Sequence, residues 1–332
     1  MIPGVISFIP QSILDYVSPS RLILPYYHMI SDEKVDHTFN LYQHKSANEF
    51  IKDLDYLLDH YEPVGLSDIF EAKNEGWVMS KPSFHLTFDD GFREMSDVVA
   101  PILRRKGVPA TFFVNRAFTD NKSMCHEQKA SIIAEKAKTE LPVYVRDSII
   151  ALMKKSNMNV KDILSAITAI SFSDRHLLDD IANIMEVDFD EYLKTQKPYL
   201  DSHQIRGLIK MDFTIGSHSI DHPLYGEISF DEQVHQTIES TRWVRETFGL
   251  DYGAFAFPYT GRYVNEKFFS DIRSSGLVDI SFGTDGMVNE NLSFHLERFS
   301  MEKPLLPAKK IINIQYAKQL YSGYRPRKRT NI

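Results

Sequence analysis

The chain is short of the features that mark secreted, membrane-spanning and nucleic-acid-binding proteins. Its 332 residues include one cysteine, Cys125. No internal disulfide can form, so nothing calls for an oxidising compartment, and no catalytic role is read for this thiol. Long apolar runs are missing too. The first stretch, MIPGVISFIPQSILDYVSPS, lacks a basic start and is broken by Pro3 and Pro10. It predicts neither a signal peptide nor a membrane span, and at most an amphipathic turn at a membrane surface. The expected location is cytoplasmic, with peripheral membrane contact as the alternative. Positive charge is not in excess: 38 Lys and Arg face 45 Asp and Glu, a formal net charge of −7. That argues against a dedicated nucleic-acid binder. The one basic run is the tail at about 324–332, where Arg325, Arg327, Lys328 and Arg329 cluster. Such tails are most often simply solvated, and contact with an anionic surface is the other reading. With 43% hydrophobic and 25% charged residues, disorder is not expected.

What is present is an alternation of strand and helix patterns, which favours an α/β fold on a parallel sheet. RLILPYYHMI (21–30), SFHLTFDD (83–90), ATFFVN (110–115), DFTIGSHS (212–219), YGAFAFPY (252–259) and ISFGT (280–284) read as strands. Between them, SANEFIKDLDYLLDHY (46–61) has an N-cap serine and apolar residues at helical spacing. REMSDVVAPILRRKG (93–107), DEQVHQTIESTRWVRETFG (231–249) and NEKFFSDIRSSG (265–276) read as helices as well. From about 116 to 202 helical patterns follow one another without a convincing strand. This segment reads as a helical insertion in a single domain spanning 1–332, placed to cap a site, grip a lipid carrier or form a dimer contact.

Two short stretches carry chemistry. In HLTFDDGF (85–92) a buried strand ends on adjacent acids, Asp89 and Asp90, followed by Gly91. In GSHSIDHPLYG (216–226) His218 and His222 stand four apart, with Pro223 turning the chain away from helix. Alone, a DDG is more often a turn, and a histidine pair more often an ordinary surface pair. Both stretches sit at strand C-termini, however, and in parallel α/β folds those ends gather at one face. Two histidines and one carboxylate form a common catalytic Zn²⁺ set with positions left open. One of the two aspartates would complete it.

TFDDGF, HSIDHP and FAFPYTG, in this order and each after a strand, resemble the motifs of the polysaccharide deacetylase family (the NodB-homology, carbohydrate esterase family 4 enzymes). The third motif is of the FAxPYG type. The likeness covers roughly 20–115 and 200–300, including ILPYYHMI and GVPATFFVN, and leaves out the helical segment. It implies a distorted, TIM-like (β/α) barrel and a metal-dependent hydrolase that removes acetyl groups from sugars. It implies Asp90, His218 and His222 as metal ligands, Asp89 as general base, and the Tyr259 backbone N–H as part of an oxyanion hole. The family's third motif usually carries an arginine that orients the base, and here Ala256 stands in that position. Arg298 and Arg262 are the candidates to replace it. The family's general-acid histidine has no clean match, with His295 the nearest residue. His28, at the end of the first strand, is expected to line the site or support it. Tyr225, Tyr259 and Tyr263 are expected near the motifs as aromatic platforms for a sugar.

The implied reaction is hydrolysis of an acetamide on an N-acetylated sugar, in cell-surface polysaccharide or glycolipid biosynthesis. The metal would be Zn²⁺, with Co²⁺, Ni²⁺ or Mn²⁺ accepted by the same ligand set. Two other readings keep the scaffold: an amidase for non-sugar C–N bonds, and a carbohydrate-binding protein with a degenerate site.

Overall fold

The computed structural model describes residues 21–74, 79–288, 292–302 and 306–322. The N-terminal stretch and the basic tail lie outside the described residues. The strands among them are β1 (Leu22–Ile23), β2 (Pro25–Tyr27), β3 (Glu62–Pro63), β4 (Ser83–Phe84), β5 (Leu86–Phe88), β6 (Ala110–Val114), β7 (Thr214–Ser217), β8 (Ala254–Ala256), β9 (Ile280–Gly283), β10 (His295–Glu297) and β11 (Phe299–Ser300). All pairings between them are parallel. The main sheet runs β10-β9-β8-β7-β6-β5-β2-β11. Its two edges, β10 and β11, belong to one run of chain and are separated by Arg298 alone. The sheet therefore curls into a nearly closed eight-stranded parallel barrel, the NodB-type architecture expected from the motifs. A small sheet of β1, β4 and β3 continues the first strands at their N-terminal side.

Local chemistry explains the helices that wrap it. The helix Ala47–His60 starts at a capping box, with Ser46 accepting from the Glu49 N–H and the Glu49 side chain reaching back. Phe50, Leu54 and Leu57 lie on its buried face. The predicted helix at 93–107 is observed as a π turn, Met95–Val99, running into Ala100–Lys106. Gly107 closes it at φ 66. Side chains alternate across the barrel wall. Phe112 packs with Phe88 and Phe213 in the layer beneath the helices, while the next residue, Phe113, meets Phe282 in the barrel interior.

The helical segment has a core of its own. Helices His126–Ala137, Val143–Lys155, Ile163–Thr168 and His176–Met185 share an apolar cluster that includes Ile133, Ile149, Met153, Ile167 and Ile181. Its return limb is tied to the barrel beside Gly91. Leu200 donates to the Gly91 carbonyl at 2.8 Å and Arg93 to the Pro198 carbonyl at 2.9 Å. The rings of Phe92 and Tyr199 stack at 5.9 Å.

Candidate active site and metal centre

The acids at the end of β5 are separated by a sharp change in backbone direction. Asp89 continues the strand, donating its N–H to the Tyr27 carbonyl at 3.0 Å. Asp90 turns into the left-handed region at φ 72 and Gly91 follows at φ 66. A Cβ on Gly91 would stand 3.2 Å from Val114, so glycine is needed there for both torsion and space. After β7 the chain is irregular, in keeping with Pro223 turning it away from helix. His222 has φ 62, and Ser219 and Tyr259 are also left-handed, at φ 68 and 54. Such residues cost of order 1–3 kcal/mol each and collect where function requires a fixed shape.

These turns bring Asp90, His218 and His222 together, all buried, with one ligand atom from each within 4.8 Å of the others. His218 Nε2 and His222 Nε2 lie 3.5 and 3.3 Å from Asp90 Oδ1. That oxygen is buried without a hydrogen-bond partner among the described residues. His218 Nδ1 donates to the Ala256 carbonyl at 2.9 Å, which leaves the Nε2 lone pair facing Asp90. Three lone pairs thus converge on one point, at spacings close to the ~3.4 Å edge of a tetrahedral site with ligands at about 2.0–2.2 Å. The residues fit a divalent metal ion.

Asp89 points the other way, into the barrel, where Arg298 grips both its oxygens at 2.7 and 2.8 Å. The same guanidinium donates to Thr87 Oγ1 at 2.9 Å and to the Gly283 carbonyl at 3.0 Å. It is fully buried and lies over the rings of Tyr26, Phe113 and Phe282. Burial works to raise the Asp89 pKa, but Arg298, aided by His218 and His28, outweighs it and holds the carboxyl below its usual range. Asp89 is ionised at neutral pH. Arg262, the other candidate, is on the surface and pairs with Asp285 at 2.8 Å.

His28 follows β2 and feels the charges of Asp90 and Asp89. Its ring is bonded to the buried Glu302, whose other oxygen accepts the His28 and Met29 N–H groups at 2.7 and 2.9 Å. Burial opposes charge on the imidazole, but Glu302, aided by Asp90 and Asp89, raises its pKa to about 9. The Tyr42 ring packs 5.2 Å from His28. Its hydroxyl is buried without a partner among the described residues and feels the charges of Asp90, Glu302 and Glu127. Tyr259, 39% exposed, lays its ring 4.8 Å from His222, and its carbonyl accepts from Thr284.

Two expectations are corrected. His295 is not at the metal ligands. It is fully buried, with Nδ1 bonded to Ser281, Nε2 near Glu297 and the ring against Phe257 and Phe269. Tyr225 is no sugar platform either. It is buried among Phe255, Phe257 and Phe268, with its hydroxyl bonded to Thr237. Tyr263, 51% exposed, keeps a surface position. Tyr42, Glu127 and Glu302 were not foreseen from sequence. Each is one polar residue far along the chain from the motifs, and no local pattern marks it.

A cavity of about 690 Å³ opens beside Pro109, Asp212, Asp251 and Asp279, at the N-terminal ends of the strands. That is the wrong end for chemistry in this architecture. A cleft of about 510 Å³ lies between barrel and helical segment, lined by Phe118, His126, Phe172, Arg175 and Asp221. It adjoins the loop that carries His222.

Residues 78–163 match the family model described as polysaccharide deacetylase. The match includes the two aspartates and ends before the histidines. No curated protein matches the sequence significantly. Among solved structures the chain resembles the deacetylase PplD of Streptococcus pyogenes in complex with acetate, with a TM-score of 0.57 at 15% identity over 89% of this chain and 97% of that one. It also resembles IcaB from Ammonifex degensii, with a TM-score of 0.54 at 14% identity over 89% and 96%. A de-N-acetylase from Aggregatibacter actinomycetemcomitans gives 0.52 at 15% identity over 87% and 98%. At these identities the likeness is one of fold.

Proposed function

We propose that this polysaccharide deacetylase-like enzyme, with its buried Asp-His-His candidate metal site, hydrolyses the acetamide of an N-acetylated sugar. The supporting observation is the division of labour between neighbours: Asp90 faces two histidines while Asp89 is clamped by Arg298. A divalent ion held by Asp90, His218 and His222, with Zn²⁺ the leading choice, would polarise the acetyl carbonyl and acidify the attacking water. Asp89, ionised and fixed in rotamer by its bidentate partner, takes the water proton. The Tyr259 N–H stabilises the oxyanion of the tetrahedral intermediate. The leaving amine needs a proton, and in this reading His28 supplies it. It is charged at neutral pH, held by Glu302, and keeps about a quarter of its side chain accessible. The Tyr42 hydroxyl offers a donor or acceptor to the substrate. The degenerate-site reading loses its main support, because Arg298 supplies the cation that Ala256 lacks.

The substrate we favour is a sugar unit of a cell-surface polysaccharide or glycolipid. The test is acetate release from a panel of N-acetylated sugars, with chelation and metal add-back. Asp89→Asn is expected to retain metal while losing most turnover, about 10²–10⁴-fold. His218→Ala is expected to lose the metal. Near-normal deacetylation by Asp89→Asn, or full activity after chelation, would reject the assignment.

A further inference from the structure

The helical segment reaches the ring of His222 through Cys125 and Glu127. Cys125 is the N-cap of the helix His126–Ala137, and its side chain makes no capping bond. Its backbone N–H donates to the buried Tyr199 hydroxyl at 3.1 Å, and that hydroxyl donates to Gln128 Oε1 at 3.2 Å. The first turn is therefore pinned to the limb that bonds back to Gly91. From this fixed turn Glu127 projects towards the barrel. Its Oε2 lies 3.3 Å from His222 Nδ1. The same carboxylate accepts a hydrogen bond from Tyr259. Since the Tyr259 ring also packs on His222, Glu127, His222 and Tyr259 form a closed triangle.

We propose that Glu127 is a positioning residue: it fixes the tautomer and ring orientation of the metal-ligand histidine His222 and, through the Tyr259 phenol, the loop that carries the oxyanion-hole N–H. This deepens the function proposed above and rests on it. A ligand histidine presents one nitrogen to the metal and needs a partner for the N–H on the other. A carboxylate in that place raises the ligand's basicity and prevents the ring from turning. His218 has its partner in the Ala256 carbonyl, from the barrel itself. His222 has Cys125 Sγ at 4.0 Å and Glu127 Oε2 at 3.3 Å, both from the helical segment. The carboxylate oxygen is the nearer of the two and the stronger hydrogen-bond acceptor. On this view the helical segment completes the outer layer of the metal centre, and docking of the segment is coupled to metal affinity.

A second arrangement of the same atoms is testable alongside. Cys125, His126 and Glu127 could themselves gather an ion, since their ligand atoms also lie within 4.8 Å of one another. The experiment uses the full chain loaded with Co²⁺, read by its visible absorption spectrum, by chelator competition and by metal stoichiometry. Glu127→Gln, which keeps size and a hydrogen-bond acceptor but loses the charge, is expected to weaken Co²⁺ affinity about 10–100-fold. It should also shift the ligand-field spectrum, while the metal-free protein melts as the parent does. Glu127→Asp should recover part of the affinity. Affinity within twofold of the parent and an unchanged spectrum in Glu127→Gln would overturn the proposal. So would two equivalents of Co²⁺ per chain, the second lost in Cys125→Ser, because Glu127 would then be a ligand. If the parent chain bound no Co²⁺, the metal-site reading would fail, and the role of Glu127 with it.

Discussion

Arg298→Lys tests the most specific feature of the site. The guanidinium makes four bonds: two to Asp89 at 2.7 and 2.8 Å, one to Thr87 at 2.9 Å and one to the Gly283 carbonyl at 3.0 Å. A lysine keeps the charge but carries its donors on one nitrogen, so it cannot straddle both carboxylate oxygens and still reach Gly283. Two charge-assisted bonds are lost, one to Asp89 and one to the Gly283 carbonyl, at about 1.5–3 kcal/mol each, and that carbonyl keeps only the backbone N–H of residue 298. The expected destabilisation is about 3–5 kcal/mol in chemical denaturation near neutral pH. Catalysis responds separately. A base displaced by about 1 Å loses on the order of 10²-fold in rate. Arg298 holds the Asp89 carboxyl below its usual value against burial, so a weaker clamp lets that pKa rise. The acid limb of kcat/KM then moves to higher pH. The stability sign agrees: a depressed folded pKa means the ion pair contributes above about pH 4 and is lost as pH falls through the folded value. Arg298→Lys should therefore lose less stability on acidification than the parent. Metal uptake should not change, because Arg298 touches Asp89 and not Asp90. A variant with the parent's acid limb and turnover within twofold would refute the assignment of Arg298 as the group that holds the base.

Glu302→Gln removes the charge that raises His28, so the imidazole pKa falls and the alkaline limb of kcat/KM should move to lower pH. In the parent, the stability contributed by His28 is complete below about pH 6.5 and is lost as pH rises through about 9; denaturation across that window should show a smaller pH dependence in the variant. Tyr42→Phe removes a hydroxyl that has no internal partner among the described residues, so stability should hold or rise slightly while kcat/KM falls roughly 2–10-fold. A loss of stability without a loss of activity would show that this phenol is structural.

The barrel was legible because its signals are local. Buried strands ending on functional residues, helices with caps at Ser46 and Gly107, and the DDG and HxxxH stretches each occupy a few consecutive positions. The candidate metal ligands were legible for the same reason, each standing within a motif. The proposed proton donor was not. His295 lies in a short pattern that resembles a site residue, and only tertiary packing shows it enclosed by Phe257 and Phe269. His28 reads from sequence as a residue at the end of the first strand that lines or supports the site, and only Glu302, 274 residues away in sequence, shows what charges it. Glu127 and Tyr42 were hidden in the same manner. The helical segment reads as helix from its periodicity, but its periodicity says nothing of which side chain it sends into the barrel.

Ala256 and Arg298 together show why the missing motif arginine need not disable the site. A base in the interior of a closed barrel can be approached from any strand whose inward positions reach its level. Arg298 stands at the one residue where the chain stops pairing with β9 and starts pairing with β2. Its own N–H reaches the Gly283 carbonyl at 3.3 Å, and that of Phe299 reaches the Leu24 carbonyl at 3.1 Å. The residue that closes the barrel is thus the residue that holds Asp89. Its guanidinium is clamped from both sides of the seam, by Gly283 on β9 and by Thr87 on β5, the strand beyond β2. A buried charge is tolerable there only while Asp89 is ionised opposite it, and removing either partner leaves an uncompensated ion at a cost of several kcal/mol. Closure of the sheet and preparation of the base therefore depend on the same ion pair. A substitution that loosened the seam, even far from the metal ligands, would free the carboxylate that the reaction needs fixed.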